Sequence, residues 1–327
     1  MKVLITFQGY GGVQKHRLHD PFQHLDQFDD VTVQHTPSLD NLNEEGLKVL
    51  EEFDVVVFNR NISPIMRPEQ VFADLRKAGV KIVMDIDDHW ELPKDHVARE
   101  YYDYTQTGRA MVDQMRHADM VCATHTRLGK VVGEYNSNWA VVPNAIDPVM
   151  FPEEDNELTD VPFWQGSITH RGDLSLIKNL PITVCGYVED DPEWEKIRAM
   201  MPNAQFEGAR KTGEYYKLYL DKGISVIPLK HTKFNRMKSE LKMLESGYYK
   251  KPVIVTKIHP YTILAEDGVN CMTVRKNEYA SKLKKLQNSP QMQEDLRMKL
   301  HEDVMEKYHM DIVNQTRYEL LKEVING

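Results

Sequence analysis

Twelve short apolar runs, three to six residues each and rich in Val and Ile, punctuate this chain of 327 residues and constrain its fold more than any other feature. Six lie in the first half: VLITF (3–7), VTV (31–33), VVVF (55–58), KIVMDI (81–86), MVCAT (120–124) and WAVVP (139–143). Six follow in the second: VPFW (161–164), ITVCGY (182–187), AQFEG (204–208), ISVIPL (224–229), PVIVT (252–256) and CMTV (271–274). Runs of this length without polar alternation are how parallel strands covered on both faces read. Amphipathic stretches such as GLKVLEEF (46–53) and PEQVFADLRKAGV (68–80) separate them, the latter with Gly79 as a helix stop signal. Strand–helix alternation on this scale predicts a doubly wound α/β architecture.

The stretch DPVMFPEEDNELTDVP (147–162) has three prolines, many acids and no periodicity, and reads as a linker. It divides the chain into a Rossmann-like domain over 1–147, a linker over 148–162 and a second Rossmann-like domain over 163–327. Beyond residue 276 the second domain turns wholly helical. Two such sheets imply a cleft between domains faced by the carboxyl ends of the strands, so function is expected in the segments just after the strands.

Composition narrows the class. Charged residues at 28% and hydrophobic ones at 41% are ordinary for a globular protein. No apolar run approaches the ~20 residues of a membrane span, and the N-terminal MKVLITFQGYGG reads as a buried first strand, not a signal peptide. Cys122, Cys185 and Cys271 are scattered without C-x-x-C spacing, which argues against a disulfide framework or zinc site and points to a reducing cytoplasm. The net charge of −9 is uneven: residues 1–160 carry 15 Lys+Arg against 28 Asp+Glu, and residues 161–327 carry 26 against 22. The acidic first half argues against a grip on nucleic acid or anionic lipid, and the mildly basic second half suits an anionic ligand.

Four strand-end segments carry candidate chemistry in advance of any helix argument. QGYGGVQKHR (8–17) follows the first strand, and its Gly9, Gly11 and Gly12 permit either a plain turn or close approach of a ligand to the backbone, with Arg17 just beyond. It is not G-x-G-x-x-G, so a dinucleotide fingerprint is absent. In NRN (59–61), Arg60 ends a buried strand and serves either a cleft ligand or a surface ion pair. In MDIDDHWELPKDH (84–96), Asp85 and Asp87 share one face of the strand end, with Asp88 and His89 next. The alternatives there are turn caps, an acceptor-orienting or basic role, and a divalent metal site. In FWQGSITHRGDLSLI (163–177), a strand, a Gly166-Ser167 turn and a helix start present backbone N–H groups to an anion, with Thr169, His170 and Arg171 adding hydroxyl and charge, or else form an ordinary βα turn.

The most informative segment is KFNRMKSELKMLESGYYKKPVIVT (233–256). As one helix it would place Lys238, Lys242 and Glu245 on a narrow stripe at i, i+4 and i+7. A helix N-terminus with Lys238 suits a diphosphate, and a Glu two turns deeper suits ribose hydroxyls roughly 10 Å away.

These residues carry a resemblance. LESGYYKKPVIVTKIHPYTILAEDGVNCMTV (244–274) is similar to the E-A-x-x-x-G-x-P-V-I…D-G-x-N-G-x-x-V pattern of GT-B glycosyltransferases of the group-1, family 4-like class. That class usually has two Glu eight positions apart; Glu245 matches the second, the donor-ribose residue, and the first falls on Met237. Lys238 resembles a variant subgroup reading F-N-x-x-K-S-x-L-K-x-L-E, which shifts phosphate binding toward Lys238 and Ser239. DVVVFNR, the I-V-x-D-I-D-D strand end and AVVPNAID extend the resemblance over nearly the whole chain.

The resemblance implies a GT-B fold and transfer of a sugar, with retention and without a bound metal or tightly held cofactor, from a nucleoside-diphosphate sugar (UDP-sugar favoured) to an acceptor hydroxyl. Gly166, Ser167, Thr169, His170, Arg171, Lys238, Ser239, Lys242 and Glu245 are then expected to bind donor. Gly11, Gly12, Arg17 and Arg60 are expected to bind acceptor, and Asp87, Asp88, His89 and Lys238 to act in catalysis. By elimination the acceptor is a saccharide or other polar hydroxyl, with hydroxymethylated DNA, as in phage-encoded enzymes, the alternative of the same chemistry. Such enzymes act in a bacterial cytoplasm, their own or a phage host's. A sugar-nucleotide epimerase and a non-catalytic sugar-nucleotide binder are the rival classes. Transfer to an added acceptor separates the first rival, and slow donor hydrolysis the second.

Overall fold

Each of the twelve apolar runs overlaps a strand, and the strands form two six-stranded sheets whose pairings are all parallel. The computed structural model describes residues 1–40, 42, 44–63, 67–152, 159–275 and 277–327, so the middle of the expected linker, 153–158, lies outside the described residues. The chain divides into two compact units, Met1–Glu91 with Glu100–Ala145 and Met310–Gly327, and Leu92–Arg99 with Ile146–His309.

In the first unit β1 (Lys2–Thr6), β2 (Thr32–Thr36), β3 (Val55–Asn59), β4 (Lys81–Ile86), β5 (Met120–Ala123) and β6 (Trp139–Val141) are ordered β2-β1-β3-β4-β5-β6. The central β3, β4 and β5 are buried almost throughout, whereas edge strand β2 is mostly exposed. That exposure fits the polar Gln34, His35 and Thr36 that follow VTV. The strand order reverses at β1, which has β2 on one side and β3 on the other.

The second sheet is built from β7 (Phe163–Gln165), β8 (Thr183–Tyr187), β9 (Gln205–Gly208), β10 (Ser225–Ile227), β11 (Val253–Thr256) and β12 (Met272–Val274), ordered β12-β11-β10-β7-β8-β9. Successive residues serve opposite faces. Phe163, Ile227, Val253 and Val255 join Met243, Leu244, Leu300 and Val304 in one core. Trp164, Val226 and Ile254 join Leu174, Leu283 and Leu286 in the other. Each such side chain is worth ~1.5–3 kcal/mol when fully buried, so both faces hold the sheet. The chain runs β7-β8-β9 to one side and returns at β10 on the other, which places a topological switch point at the carboxyl ends of β7 and β10.

The helical C-terminal region does not stay together. The helices Tyr279–Gln287 and Pro290–Tyr308 belong to the second unit, but Met310–Asn326, expected within a 163–327 domain, packs on the first sheet. The helix path breaks at His309, which is extended at φ −59 and ψ 142. Met310, Val313, Leu321 and Val324 then bury with Val3, Leu18 and Phe22, and Asn314 Nδ2 donates to Pro21 O at 2.7 Å. Periodicity shows that this helix hides one face, but not which sheet covers it.

Candidate functional site

In the second unit, polar groups gather at the switch point between β7 and β10. After Gln165 the chain turns through Gly166 and Ser167 into a 3-10 turn, Ile168–His170, and the short helix Arg171–Leu174. Gly186 of β8 sits at φ +107, and a Cβ there would stand 2.3 Å from Gly166 O, so only glycine lets β8 pass under this turn.

Asp173 fastens the turn to the segment after β10. Its carboxylate accepts from His170 Nδ1 at 3.0 Å, Lys230 N at 2.8 Å and Asn235 Nδ2 at 2.9 Å. Burial alone would raise its pKa, but the His170 hydrogen bond and the Lys230 N–H hold it below the usual carboxylate range. His170 is pushed down to about 3 by burial and by the charge of Lys242. It is therefore a neutral ring donating through Nδ1, with Nε2 left as an acceptor, and does not bring the positive charge expected from the sequence.

The cations here are lysines. Lys242 Nζ would stand 3.1 Å from a Cβ at Gly166 and lies 5.8 Å from the Trp164 ring centroid. Lys238 Nζ lies 4.8 Å from the Phe234 ring centroid. The two do not share a helix. Asn235–Met237 is a separate 3-10 turn, Lys238 is extended at φ −70 and ψ 168, and the helix proper runs Leu241–Tyr248. The single stripe expected over Lys238, Lys242 and Glu245 is thus broken, and buried Glu240 starts the helix, its carbonyl accepting from Met243 N and Leu244 N. Ser167 Oγ and Thr169 Oγ1 hydrogen-bond each other at 2.8 Å, and Ser239 is half-buried. Arg171 pairs with Glu193 on the helix Pro192–Met200, so part of its charge is already matched.

Glu245 is 2% exposed, on the same helix as Lys242. Tyr219 Oη donates to its Oε2 at 2.6 Å and Tyr215 Oη donates to its Oε1. Burial and the Glu245 charge push the Tyr219 phenol well up, which keeps it a proton donor.

In the first unit the acids at the end of β4 are held by arginines. Arg17 donates to both oxygens of Asp85, at 2.9 and 2.6 Å, and also to Asn144 Oδ1 and Val142 O. Arg60, at φ 61, donates to both oxygens of Asp87, at 2.7 and 2.6 Å, and lies 3.5 Å from Asp88. Burial would raise the Asp87 pKa, but Arg60 holds it down. Asn59 Nδ2 bridges Asp85 and Asp87 at 2.9 and 3.1 Å, so the two carboxylates do share one side. His89 is buried, its ring stacked on Trp90 at 4.7 Å and its Nδ1 accepting from Glu91 N at 2.9 Å. Asp88 keeps a quarter of its side chain exposed. Gly9 takes φ +70, and Gly11 precedes the short helical turn at Gly12 with an ordinary φ of −92. Among the described residues no group of three or more His, Cys, Asp or Glu is placed to hold a metal ion, and no helix is long and apolar enough to cross a membrane.

Solved structures share this architecture. The chain is similar to Anabaena Alr3699/HepE, solved in complex with UDP and glucose, at a TM-score of 0.67 and 14% identity over 98% of this chain and 99% of that one. It is similar to the sucrose-phosphate synthase of Thermosynechococcus elongatus at 0.69 and 10% identity over 99% of both chains. A glycosyltransferase from Rickettsia africae matches at 0.63 and 12% identity over 99% of this chain and 98% of that one. The fold is GT-B. No protein-family model matches the chain, and no curated protein matches it in sequence.

On this GT-B frame Gly166, His170, Lys238 and Lys242 come together, Glu245 is held in a tyrosine clamp, Arg171 turns to Glu193, and Arg17 is 2% exposed inside the first unit. Asp173, Gly186, Asn235, Tyr215, Tyr219 and Asn59 also hold these groups in place, though none was among the residues expected from the sequence. Two of these had a local signal: Asp173 stands three residues after His170, and Asn59 ends a strand beside Arg60. The tyrosines, 26 and 30 residues from Glu245, had none.

Proposed function

We propose that this chain is a glycosyltransferase of the family 4-like class, in the subgroup with Lys238 in place of the first Glu. It transfers a sugar from a nucleoside-diphosphate sugar, a UDP-sugar foremost, to an acceptor hydroxyl. The observation that carries this reading is the pair Lys238 and Lys242 beside Gly166 and neutral His170, at the β7/β10 switch point. Both lysines are near enough to depress His170. Anabaena Alr3699/HepE, which shares the fold, has been solved with UDP and with UDP-glucose.

The chemistry follows from charge. As the bond from the anomeric carbon to the diphosphate breaks, negative charge grows on the leaving oxygen. Fixed cations and donors already aimed at that position lower the barrier without reorganising. Lys238 and Lys242 supply charge, the Gly166–Ser167 turn supplies the backbone N–H of Ser167, since that of Gly166 is spent on Cys185 O at 3.2 Å, and Glu245 accepts from the ribose hydroxyls. Retention fits a leaving phosphate that takes the acceptor proton on the same face. Asp85 and Asp87 are each held bidentately by an arginine, so they are committed to guanidinium groups, and the reading is metal-independent. Asp88, with Arg60 beside it, is the group we assign to orienting the acceptor hydroxyl. A polar saccharide or similar hydroxyl suits the acidic first half, and the separated thiols Cys122, Cys185 and Cys271 suit a reducing bacterial cytoplasm, the cell's own or a phage host's.

The test is calorimetric titration of the folded protein with UDP, GDP and ADP. Glu245→Ala should lose a charge-assisted bond worth ~1.5–3 kcal/mol, about tenfold or more in affinity. Lys238→Ala should weaken the diphosphate but not the free nucleoside. Unchanged affinity in both variants removes the assignment.

A further inference from the structure

We propose that Tyr215 is a displaceable hydroxyl that occupies the ribose position on Glu245 when the donor is absent, while Tyr219 is the positioning residue that keeps the carboxylate aimed. This rests on the nucleotide-sugar reading above and adds to it how the site is kept ready.

The two tyrosines make the same kind of bond to opposite oxygens of one carboxylate but are anchored very differently. Tyr219 is 1% exposed. Its ring stacks on Tyr249 at 5.4 Å and 17° and meets Phe163 edge-on at 5.6 Å and 90°. Its Oη also lies 3.4 Å from Gln165 Oε1 at the end of β7. Moving it would open the core under the sheet, so the bond to Oε2 is fixed. Tyr215 is half-buried and begins the 3-10 turn Tyr215–Leu218, directly after the mostly exposed residues 207–214. Its ring meets Phe151 edge-on at 5.9 Å. It packs against the core from the edge as a partly buried side chain, so it is held less tightly than Tyr219.

A buried carboxylate needs its lone pairs satisfied, and one left bare is costly. A ribose diol offers O–H donors of the same kind as a phenol. Replacing Tyr215 O–H by ribose O–H on Oε1 therefore conserves the hydrogen-bond count, and Tyr219 need not move. In the empty protein Tyr215 spares Glu245 an unsatisfied state. In the loaded protein it competes with the ligand for one oxygen.

Competition and cooperation give opposite signs, which makes the inference testable. Wild type, Tyr215→Phe, Tyr219→Phe and Glu245→Ala are titrated with whichever of UDP, GDP and ADP binds best, and with its 2′,3′-dideoxy analogue; near-UV circular dichroism checks that each is folded. We expect Tyr215→Phe to bind the ribonucleotide about threefold to tenfold more tightly, because a competing hydrogen bond is gone. Its affinity for the dideoxy analogue should match that of wild type. Tyr219→Phe should weaken the ribonucleotide by about tenfold. Unchanged or weaker ribonucleotide binding by Tyr215→Phe overturns the inference, as does an equal gain with the dideoxy analogue. If those results come with a Glu245→Ala loss, the nucleotide-sugar reading survives alone. If Glu245→Ala changes nothing, or no nucleotide binds wild type, that reading falls and this one with it.

Discussion

Arg17→Met separates the two roles that Arg17 could have. The substitution keeps a similar stem and removes the guanidinium. Four hydrogen bonds go with it: 2.9 and 2.6 Å to Asp85, 3.1 Å to Asn144 Oδ1 and 2.9 Å to Val142 O. Asp85, itself 5% exposed, is left with the Asn59 amide at 2.9 Å as its remaining side-chain donor among these. Stranding one partner of a buried ion pair costs about 3–5 kcal/mol. Part is returned, because Arg317, held down to about 10 by burial and by Arg17, loses a like charge. We therefore expect the lower end, about 3 kcal/mol, a fall in melting temperature of roughly 6–12 °C. Urea unfolding and a thermal melt measure this, alongside nucleotide titration. Arg17→Met with Asp85→Leu should recover most of the loss, since apolar replacement of both partners of a buried pair is close to neutral. A variant with an unshifted midpoint and selectively slowed transfer would refute the structural role and return Arg17 to the acceptor.

His170 has a folded pKa of about 3 against 6.5 ordinarily, so the unfolded chain binds its proton first as pH falls. The His170 contribution to stability should be flat above pH 7 and drop by about 2 kcal/mol by pH 5, and His170→Gln should remove that part of the slope in urea titrations. Gly186→Ala should destabilise by at least about 1–3 kcal/mol and weaken nucleotide binding, because its Cβ would drive into Gly166 O. Asp88→Ala should slow transfer with donor affinity intact, whereas Asp87→Ala should lower stability by stranding Arg60; equal effects in rate assays and melts would remove the distinction. Transfer should survive a chelator, and its loss with recovery on adding Mn²⁺ would reverse our reading of Asp85 and Asp87.

The candidate site was legible in proportion to how local its causes are. Gly166, Ser167 and His170 sit at a strand end, which a run of apolar residues followed by Gly-Ser announces. The Lys238, Lys242 and Glu245 stripe was half right. All three residues lie near one another in sequence, but the 3-10 turn Asn235–Met237 and the extended Lys238 after it break the helix that the spacing assumed, which restarts at Glu240. The state of His170 was not legible at all. Its neutrality comes from burial and from Lys242, 72 positions away and folded against it.

What the sequence by itself determined is the set of strands. Parallel strands covered on both faces must be continuously apolar, and that requirement is written residue by residue, so VVVF and PVIVT announce β3 and β11 without reference to anything distant. What only the tertiary structure decided is partnership. The helix Met310–Asn326 advertises an apolar face, yet its cover is the first sheet, reached through an extended His309 that no periodicity marks. Arg17 reads as a cleft cation until Asp85, 68 residues on, takes its guanidinium into the core. Glu245 reads as an open carboxylate until Tyr215 and Tyr219 close on it. Burial and ion pairing depend on which elements pack together, and chain entropy makes that choice collectively, so no single segment carries it.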